Sequence, residues 1–185
     1  IRNAELYPDE VALVELNPDE KDTRRTTWKE FDLIQPSANM PYRREITWSV
    51  FNEKANRFAN MLISRGVKKG DKVAILMYNC LEWLPIYFGV LKTGAIAVPF
   101  NFRYDSDEIY YCAELAQVDV IVFGFAFIGR IEVNAERLLR GRLLIYVGDN
   151  CPSFAESYHE LVADCSSKEP DVKITEDDYG AIYFS

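Results

Sequence analysis

Residues 71–100 read DKVAILMYNCLEWLPIYFGVLKTGAIAVPF, and this stretch decides the fold. It contains two almost continuous apolar runs, at 71–79 and 95–100, with a stripe of apolar residues at helical spacing between them. Short apolar runs of this kind are typical of strands that are buried on both faces of a parallel sheet. The order strand, helix, strand therefore predicts a parallel unit with a right-handed crossover.

The same alternation continues on both sides of this unit. Upstream, apolar residues recur at helical spacing from 48 to 62, with Thr47 as the predicted N-cap and Gly66 just past the helix end. Downstream, the pattern predicts strands at 118–124, 142–148 and 179–184, and helices after Asp105, around 131–140 and around 153–163. This alternation is typical of an α/β fold with a doubly wound, mostly parallel sheet and flanking helices.

Two of these helices carry a predicted capping box at their start. Asn79 with Glu82 has the required spacing, and so has Asp105 with Glu108. Pro85 lies within the first of the two helices, where a proline removes a backbone hydrogen bond. We therefore expect either a kink there or a helix that begins nearer Leu84.

The amino-terminal residues follow a different pattern. The runs VALVEL at 11–16, TTWKEFDL at 26–33 and EITW at 45–48 resemble strands, and the polar stretches 17–22 and 35–42 between them resemble turns. We predict a small antiparallel strand region near the amino end. The expected organisation is a strand-rich segment, 1–47, followed by an α/β subdomain, 48–185.

Composition and charge limit the possible partners and compartment. The net charge of -8 and the pI near 4.8 disfavour nucleic acid, which is bound through clustered Lys and Arg. The longest apolar run, 120–129, is too short to span a bilayer and is broken by glycines, so no transmembrane segment is expected. The four cysteines show no C-x-x-C spacing, which favours a reducing compartment. We therefore expect a cytoplasmic protein.

Ligands of open α/β sheets bind beyond the carboxyl ends of the strands. The residues at those ends are Asn79, Asn101, Arg103, Gly124, Gly148, Asp149 and Ser185. Arg103 has the geometry to hold a phosphate or carboxylate, or it forms a surface pair with Asp105 or Asp107. Asp149 is either a ribose ligand or a turn residue. No G-x-G-x-x-G and no G-x-x-x-x-G-K-[ST] motif occurs.

The remaining candidates for chemistry are weak. Cys151 and His159 would form a nucleophilic pair only within hydrogen-bonding distance, and spacing alone does not establish that. Asp177 and Asp178 are more simply turn residues than an acid/base pair. The residues therefore predict no catalytic group and no metal site within the chain.

A family resemblance connects these observations. Residues 46–103, including LKTGAIAVPFN at 91–101, resemble the amino-terminal region of adenylate-forming enzymes, in particular the AMP-forming acyl-CoA synthetases. DDYGAIYFS at 177–185 resembles the strand that leads into the phosphate loop of that family. Residues 15–45 are longer and more polar than the family pattern, and Phe102 stands where proline is frequent. These departures concern the substrate subclass more than family membership.

The resemblance implies a function for the parent protein. Ser185 would be the first Ser/Thr of the ATP-binding loop and thus a cofactor-binding residue. The parent would be an ATP-dependent, AMP-forming ligase of fatty acid metabolism, joining a carboxylic acid to coenzyme A with Mg and ATP. The catalytic residues would lie beyond Ser185, so we expect the 185-residue fragment to be inactive and to hold no bound cofactor.

Two other functions fit the residues. One is a free-standing nucleotide- or CoA-binding domain that uses Arg103 and Asp149, and the other is a purely structural or interaction module. In all cases Tyr183 and Phe184, in an unpaired last strand, would leave apolar surface and free N–H groups exposed. We therefore expect the fragment to self-associate.

Overall fold

The amino-terminal residues form a small antiparallel region. The computed structural model describes residues 1–16, 27–28, 31–32 and 43–184. The elements here are α1 (Arg2–Leu6), β1 (Val11–Leu16), β2 (Thr27–Trp28), β3 (Phe31–Asp32) and β4 (Arg43–Thr47). β1 pairs with β4 and β2 with β3, both antiparallel, so the predicted local pairing is confirmed.

Two details of this region differ from the prediction. Helix α1 has no counterpart among the predicted elements, and the described part of the strand predicted at 26–33 consists of β2 and β3, two residues each. The turns predicted at 17–22 and 35–42 lie outside the described residues. Thr47 both ends β4 and caps the next helix, and the proposed boundary after residue 47 stays a prediction.

Within the described residues, the central sheet has five parallel strands. They are β5 (Lys72–Leu76), β6 (Ile96–Pro99), β7 (Val120–Gly124), β8 (Leu143–Val147) and β9 (Glu156–Ser157). Their order across the sheet is β6-β5-β7-β8-β9, with β5 first in the chain and its two successors on opposite sides. The switch point of this doubly wound sheet therefore lies between β5 and β7.

Helices cover both faces of the sheet. The helices are α2 (Trp48–Ser64), α3 (Trp83–Lys92), α4 (Ser106–Leu115), α5 (Ile128–Glu132), α6 (Ala135–Leu138) and α7 (Tyr158–Ala163), with a 3-10 turn at Phe125–Phe127. Side chains from α2, α3 and α7 share one buried cluster with alternate residues of β5, β7 and β8. Side chains from α4, α5 and α6 share a second cluster with the intervening strand residues. Because successive strand residues point to opposite faces, each strand serves both clusters.

Local capping signals fix three helix starts. The Thr47 hydroxyl accepts a hydrogen bond from the Val50 amide, and Gly66 follows α2 with a φ of 87°. The capping box of Asp105 and Glu108 is present at the start of α4. Both predicted starts are confirmed. At α7 the cap is Ser157, whose hydroxyl accepts from the Glu160 amide.

The capping box predicted at Asn79 and Glu82 is wrong. Helix α3 begins at Trp83 after Glu82, and no side chain caps it. Pro85 is then the third residue of the helix, where the backbone N–H would have no intrahelical partner in any case. The proline therefore fits the first turn, and the expected start near Leu84 is confirmed.

Two predicted helices are shorter than their patterns indicated. The helix expected around 131–140 is divided into α5 and α6 at Asn134, whose side-chain amide donates to the Ser106 carbonyl at 2.9 Å. Asparagine is a weak helix former, and here its amide serves a tertiary contact. The helix expected around 153–163 begins only at Tyr158, because Glu156 and Ser157 pair with Ile145 and Tyr146 of β8 as strand β9.

Candidate functional site

The predicted last strand, 179–184, is reduced to one bridge beside β6. Ala181 is bridged in parallel with Ala97. The Ala97 amide donates to the Gly180 carbonyl at 3.0 Å, and the Ile182 amide donates to the Ala97 carbonyl at 2.9 Å. The prediction of a buried strand is therefore wrong in extent, since Tyr179 and Tyr183 are 82% and 69% exposed.

Pro99 explains why this pairing stops. Along β6, Ile96 and the residue after the strand, Phe100, donate to the β5 side, while Ala97 donates to the 179–184 segment. In a parallel ladder alternate residues face the same neighbour, so the next donor toward 179–184 would be Pro99. Proline has no backbone N–H, and the ladder ends after one step.

The direction of the segment agrees with the resemblance. Because its bridge to β6 is parallel, its carboxyl end lies at the edge where the other strands of the sheet end. The ring of Phe184 lies 6.1 Å from that of Phe100, the residue after β6. Ser185 itself lies outside the described residues, so its role in binding a cofactor stays a prediction.

Side chains outside the sheet hold both ends of this segment. The Asp178 carboxylate accepts hydrogen bonds from the Thr175 amide and from Lys69 Nζ, both at 2.7 Å, which confirms the predicted turn. These contacts, that of Lys69 first, lower the pKa of Asp178. The hydroxyls of Tyr87 and Tyr183 are 3.4 Å apart, and this hydrogen bond raises the pKa of Tyr87 to about 12.

The switch point of the sheet is filled by aromatic rings. Tyr78, which follows β5, lies 5.2 Å from Phe127, beyond β7, and 5.7 Å from Phe102, beyond β6, measured between ring centroids. Phe127 is 1% exposed. Tyr78 and Phe102 are partly buried, so aromatic side chains form much of the surface beside the crevice between β5 and β7.

Arg130 connects the loop after β6 with the aromatic ring of Phe127. Its Nη1 donates to the carbonyls of Phe102 and Tyr104 at 2.7 and 2.9 Å, and its guanidinium lies 5.5 Å from the Phe127 ring. The sequence carried no signal for this role, since Arg130 reads as one charged residue on a short helix. These contacts fix the loop after β6. They also direct the Arg130 guanidinium to backbone carbonyls rather than to a ligand.

The structure does not bring Arg103 and Asp149 together. The Arg103 guanidinium lies 5.6 Å from the Phe102 ring, and its amide donates to the Asn101 side chain at 3.0 Å. Asp149 is an exposed turn residue whose carbonyl accepts from the Tyr146 hydroxyl at 2.9 Å. Because β5 and β7 separate β6 from β8, the two residues follow strands roughly 14 Å apart.

Cys151 and His159 have separate surroundings. The Cys151 thiol donates to the Pro152 and Ala155 carbonyls at 3.6 and 3.4 Å, and burial raises its pKa. The His159 ring packs against that of Tyr158 at 5.4 Å. A raised pKa keeps the thiol protonated, so this geometry does not support a nucleophilic cysteine.

The described residues contain neither a group of metal-ligating side chains nor a membrane-spanning helix. Over the residues given above, no three His, Cys, Asp or Glu side chains are grouped closely enough to hold a metal ion. None of the helices in this described part is both long and apolar enough to cross a membrane.

Comparisons with known proteins agree with the geometry. The long-chain-fatty-acid–CoA ligase FadD13 of Mycobacterium tuberculosis is 30% identical over 146 residues, which cover 78% of this chain and 27% of that protein. The crotonobetaine/carnitine–CoA ligase of Salmonella enteritidis is 38% identical over 84 residues, covering 45% of this chain and 16% of that one. The chain thus spans about a quarter or less of the length of these curated relatives.

A solved structure shares the fold. The crystal structure of coronafacic acid ligase from Pectobacterium brasiliense superposes with a TM-score of 0.76 at 18% identity, covering 99% of this chain and 32% of that one. The profile of the family described as AMP-binding enzyme matches residues 1–185, the whole sequence. The chain therefore belongs to the AMP-binding enzyme family.

Proposed function

We propose that the chain is the amino-terminal part of an ATP-dependent, AMP-forming carboxylate–CoA ligase. One observation carries the proposal: residues 179–184 run parallel to β6, so that position 185 follows at the edge where all the strands of the sheet end. Family membership and the Ser at that position support a role in the nucleotide loop. In this proposal Ser185 supplies the first hydroxyl of the phosphate-binding loop.

The reaction has two steps in the proposed parent enzyme. A carboxylate oxygen attacks the α-phosphorus of ATP, so that a carboxylate–phosphate bond forms and the bond to the leaving pyrophosphate breaks; Mg would neutralise charge on the phosphates. The thiolate of coenzyme A then attacks the acyl carbon, and AMP leaves. Backbone N–H groups, hydroxyls and a cation around the phosphates stabilise the charge in such a transfer.

The described residues fit a supporting role better than a phosphate-holding one. Two lysines that contact the chain leading into the segment form ion pairs, Lys69 with Asp178 at 2.7 Å and Lys92 with Glu169 at 2.6 Å. Neither is placed as a phosphate ligand. We therefore assign no catalytic group to the described residues and propose that the 185-residue chain by itself is inactive.

Isothermal titration of the chain with Mg·ATP tests this division of roles. We expect no saturable heat, and tight binding would contradict the proposal. In the parent protein, release of pyrophosphate should require both ATP and a carboxylic acid. Ser185→Ala in the parent should raise the KM for ATP, and Ser185→Thr should restore it.

The setting and the substrate are also proposals. FadD13 is named for long-chain fatty acids, which supports fatty acid metabolism as the setting and a carboxylic acid as the substrate class. We propose a cytoplasmic location. Self-association of the chain is proposed from the exposed Tyr179 and Tyr183 beside the outer side of 179–184, which pairs with no other strand among the described residues. A monomer by light scattering at high concentration would overturn it.

The alternative is a free-standing nucleotide- or CoA-binding domain that uses Arg103 and Asp149. The ring packing of Tyr78 against Phe127 at the switch point counts against it, and so does the separation of the two residues. Saturable binding of ATP or coenzyme A that Arg103→Ala removes would favour this function over the ligase fragment.

A further inference from the structure

A long connection crosses the molecule before it reaches position 185. We name residues 163–178 the strap. It begins at the end of α7, which contacts β8 and β9 at one edge of the sheet, and it ends at the segment beside β6, the opposite edge. Apart from the end of α7 and the turn at 176–177, the strap has no helix or strand of its own. Its path must therefore be fixed by contacts with other elements.

Three neighbouring side chains of α2 hold the first half of the strap by its backbone. Asn56 donates to the Ser167 carbonyl at 2.9 Å. Arg57 Nη1 donates to the Ala163 and Cys165 carbonyls at 3.2 and 2.6 Å, and Asn60 donates to the Ser166 and Lys168 carbonyls at 2.7 and 2.9 Å. Backbone carbonyls of a connection without a strand partner are thus paired with side chains of a helix.

Two lysines hold the second half. Lys92 Nζ donates to both carboxylate oxygens of Glu169, at 2.6 and 2.7 Å, and to the Asn52 side chain at 3.0 Å. Lys69 Nζ donates to the Lys173 carbonyl at 3.3 Å and pairs with Asp178 at 2.7 Å. The Lys92 side chain is 14% exposed and that of Glu169 is 40% exposed, so the pair lies at the surface with the lysine partly buried.

We call these contacts of α2, Lys69 and Lys92 with the strap the grip. At Asn56 the grip is accompanied by an unfavourable feature. The residue is 2% exposed, and its Oδ1 has no hydrogen-bond partner among the residues that the structure describes. A buried, unpaired amide oxygen is unfavourable, and an apolar residue at this position would avoid it. What the asparagine provides is the donor to the Ser167 carbonyl.

The backbone of the segment that follows the strap is held to the sheet at few points, although the side chains of Ala181, Ile182 and Phe184 pack against the buried clusters. It has one bridge and two backbone hydrogen bonds to β6, and Pro99 prevents the next one. A strand held so briefly can slip or leave its edge. Besides this side-chain packing, its register therefore depends on the position at which the strap ends.

We propose that Asn56, Arg57, Asn60, Lys69 and Lys92 are positioning residues. By gripping the strap through its carbonyls and two carboxylates, they set the register of 179–184 along β6. Through that register they set the place at which Ser185 is presented. The last step rests on the proposed function of Ser185, whereas the grip on the strap does not.

Hydrogen exchange in the 185-residue chain tests the grip directly. The readout is the Ile182 amide, which donates to Ala97 in the bridge, measured beside amides of β7 as an internal reference. We expect Arg57→Ala and Asn60→Ala each to speed exchange of Ile182 by roughly tenfold or more, with β7 unchanged, since the lost contacts are local.

The controls separate a positioning role from a general loss of stability. Glu53→Gln removes the ion pair of Arg57 with Glu53 but leaves the bonds to the strap, and it should not alter Ile182 exchange. Lys69→Ala changes an exposed residue, so folding is retained, and it should also accelerate Ile182. An unchanged Ile182 in these variants, or equal acceleration of Ile182 and β7, would overturn the inference.

A second readout links the grip to the site. In the parent enzyme, Lys69→Ala should raise the KM for ATP several-fold while kcat changes less, and Lys69→Arg should restore it. If the parent shows no ATP-dependent activity but Ile182 responds as expected, the grip stands and the ligase function fails. If the parent is an active ligase whose Ile182 does not respond, the grip is wrong and the ligase function stands.

Discussion

The sheet from β5 to β8 and the strap are held in place by opposite means. Strand residues such as Val73, Ile121 and Ile145 are 0% exposed, and helices cover both faces. The strap is largely exposed and is held by hydrogen bonds from side chains of α2 and by two lysines. One region is fixed by apolar burial, and the other by directed polar contacts.

This difference separates global from local stability. Apolar burial is nondirectional and shared by the whole cluster, so a loss at one point weakens the entire domain. A polar contact to a surface segment acts on that segment alone, and its loss lets the segment open while the rest stays folded. The following four changes test this separation, from the largest expected effect to the smallest.

The largest effect should come from Phe58→Ala. Phe58 is 0% exposed in the cluster under α2, and removing its ring leaves a cavity. We expect the free energy of unfolding to fall by about 3–5 kcal/mol, measured by urea denaturation. Phe88→Ala, at a residue 43% exposed, is the control and should have a much smaller effect. Equal losses for the two variants would contradict burial as the cause.

Gly89→Ala should be the next most harmful change. A Cβ there would lie 2.9 Å from the Ala55 carbonyl oxygen and 2.9 Å from Phe58 Cδ1, because α2 and α3 approach closely at this point. Overpacking should lower the free energy of unfolding by about 1–3 kcal/mol. Gly129→Ala, also in a helix but with nothing within 4 Å of the new Cβ, should be neutral or raise stability by up to about 1 kcal/mol.

Asp105→Ala tests whether a polar contact within the packed region contributes to the free energy of unfolding of the whole domain. Asp105 accepts from the Asp107 and Glu108 amides as the N-cap of α4, which lies on the sheet. We expect a loss of about 0.5–2 kcal/mol in the free energy of unfolding. Asp107→Ala removes only a charge near the helix start and should cost less. If Asp105→Ala left thermal unfolding unchanged, the cap would be as local as the strap contacts.

The smallest effect should be the acid release of the strap end. The pKa of Asp178 lies below its ordinary value of 3.8, since Lys69 and the Thr175 amide favour the carboxylate. A carboxyl with a lowered pKa stabilises the fold above its unfolded pKa, and that contribution is lost as the pH falls through the folded value. We expect the amide signals of Thr175 and Ile182 to shift together as the pH falls below the ordinary carboxyl pKa of 3.8.

Asp178→Asn is the matched control for this titration. The variant keeps an oxygen for the Thr175 amide but removes the charge that pairs with Lys69. It should show the low-pH spectrum of the strap end already at neutral pH. Signals of β7 should stay constant in both proteins, and a parallel change there would mean that the strap and the sheet open together.

The sequence predicted those elements whose signals are local. The apolar runs of β5 and β6 and the caps at Thr47 and Asp105 each depend on a few adjacent residues. β9 was missed because two strand residues directly before a helix carry no periodicity, although Ser157 and Glu160 have N-cap spacing. The division of the 131–140 helix depends on the contact of Asn134 with Ser106, which is distant in sequence.

The sequence predicted the direction of residues 179–184 relative to the sheet, but not the contacts that hold the strap before them. The parallel approach of 179–184 to the sheet followed from an apolar run in an alternating pattern, and the end of its ladder follows from Pro99. The grip of α2 on the strap joins residues more than one hundred positions apart, such as Asn60 and Lys168. Asparagine and arginine on a helix surface are too common to indicate such contacts.

Pro99 has a further consequence during synthesis on the ribosome. The chain emerges from its amino end, so β6 is an open margin of the nascent sheet until residues 179–184 arrive. An unbroken row of backbone N–H donors on that edge would allow another polypeptide to pair along its whole length and to nucleate a fibril. Because Pro99 offers no N–H, another polypeptide that pairs with β6 loses the same hydrogen bond as the native segment. This edge is therefore a poor template for aggregation during translation.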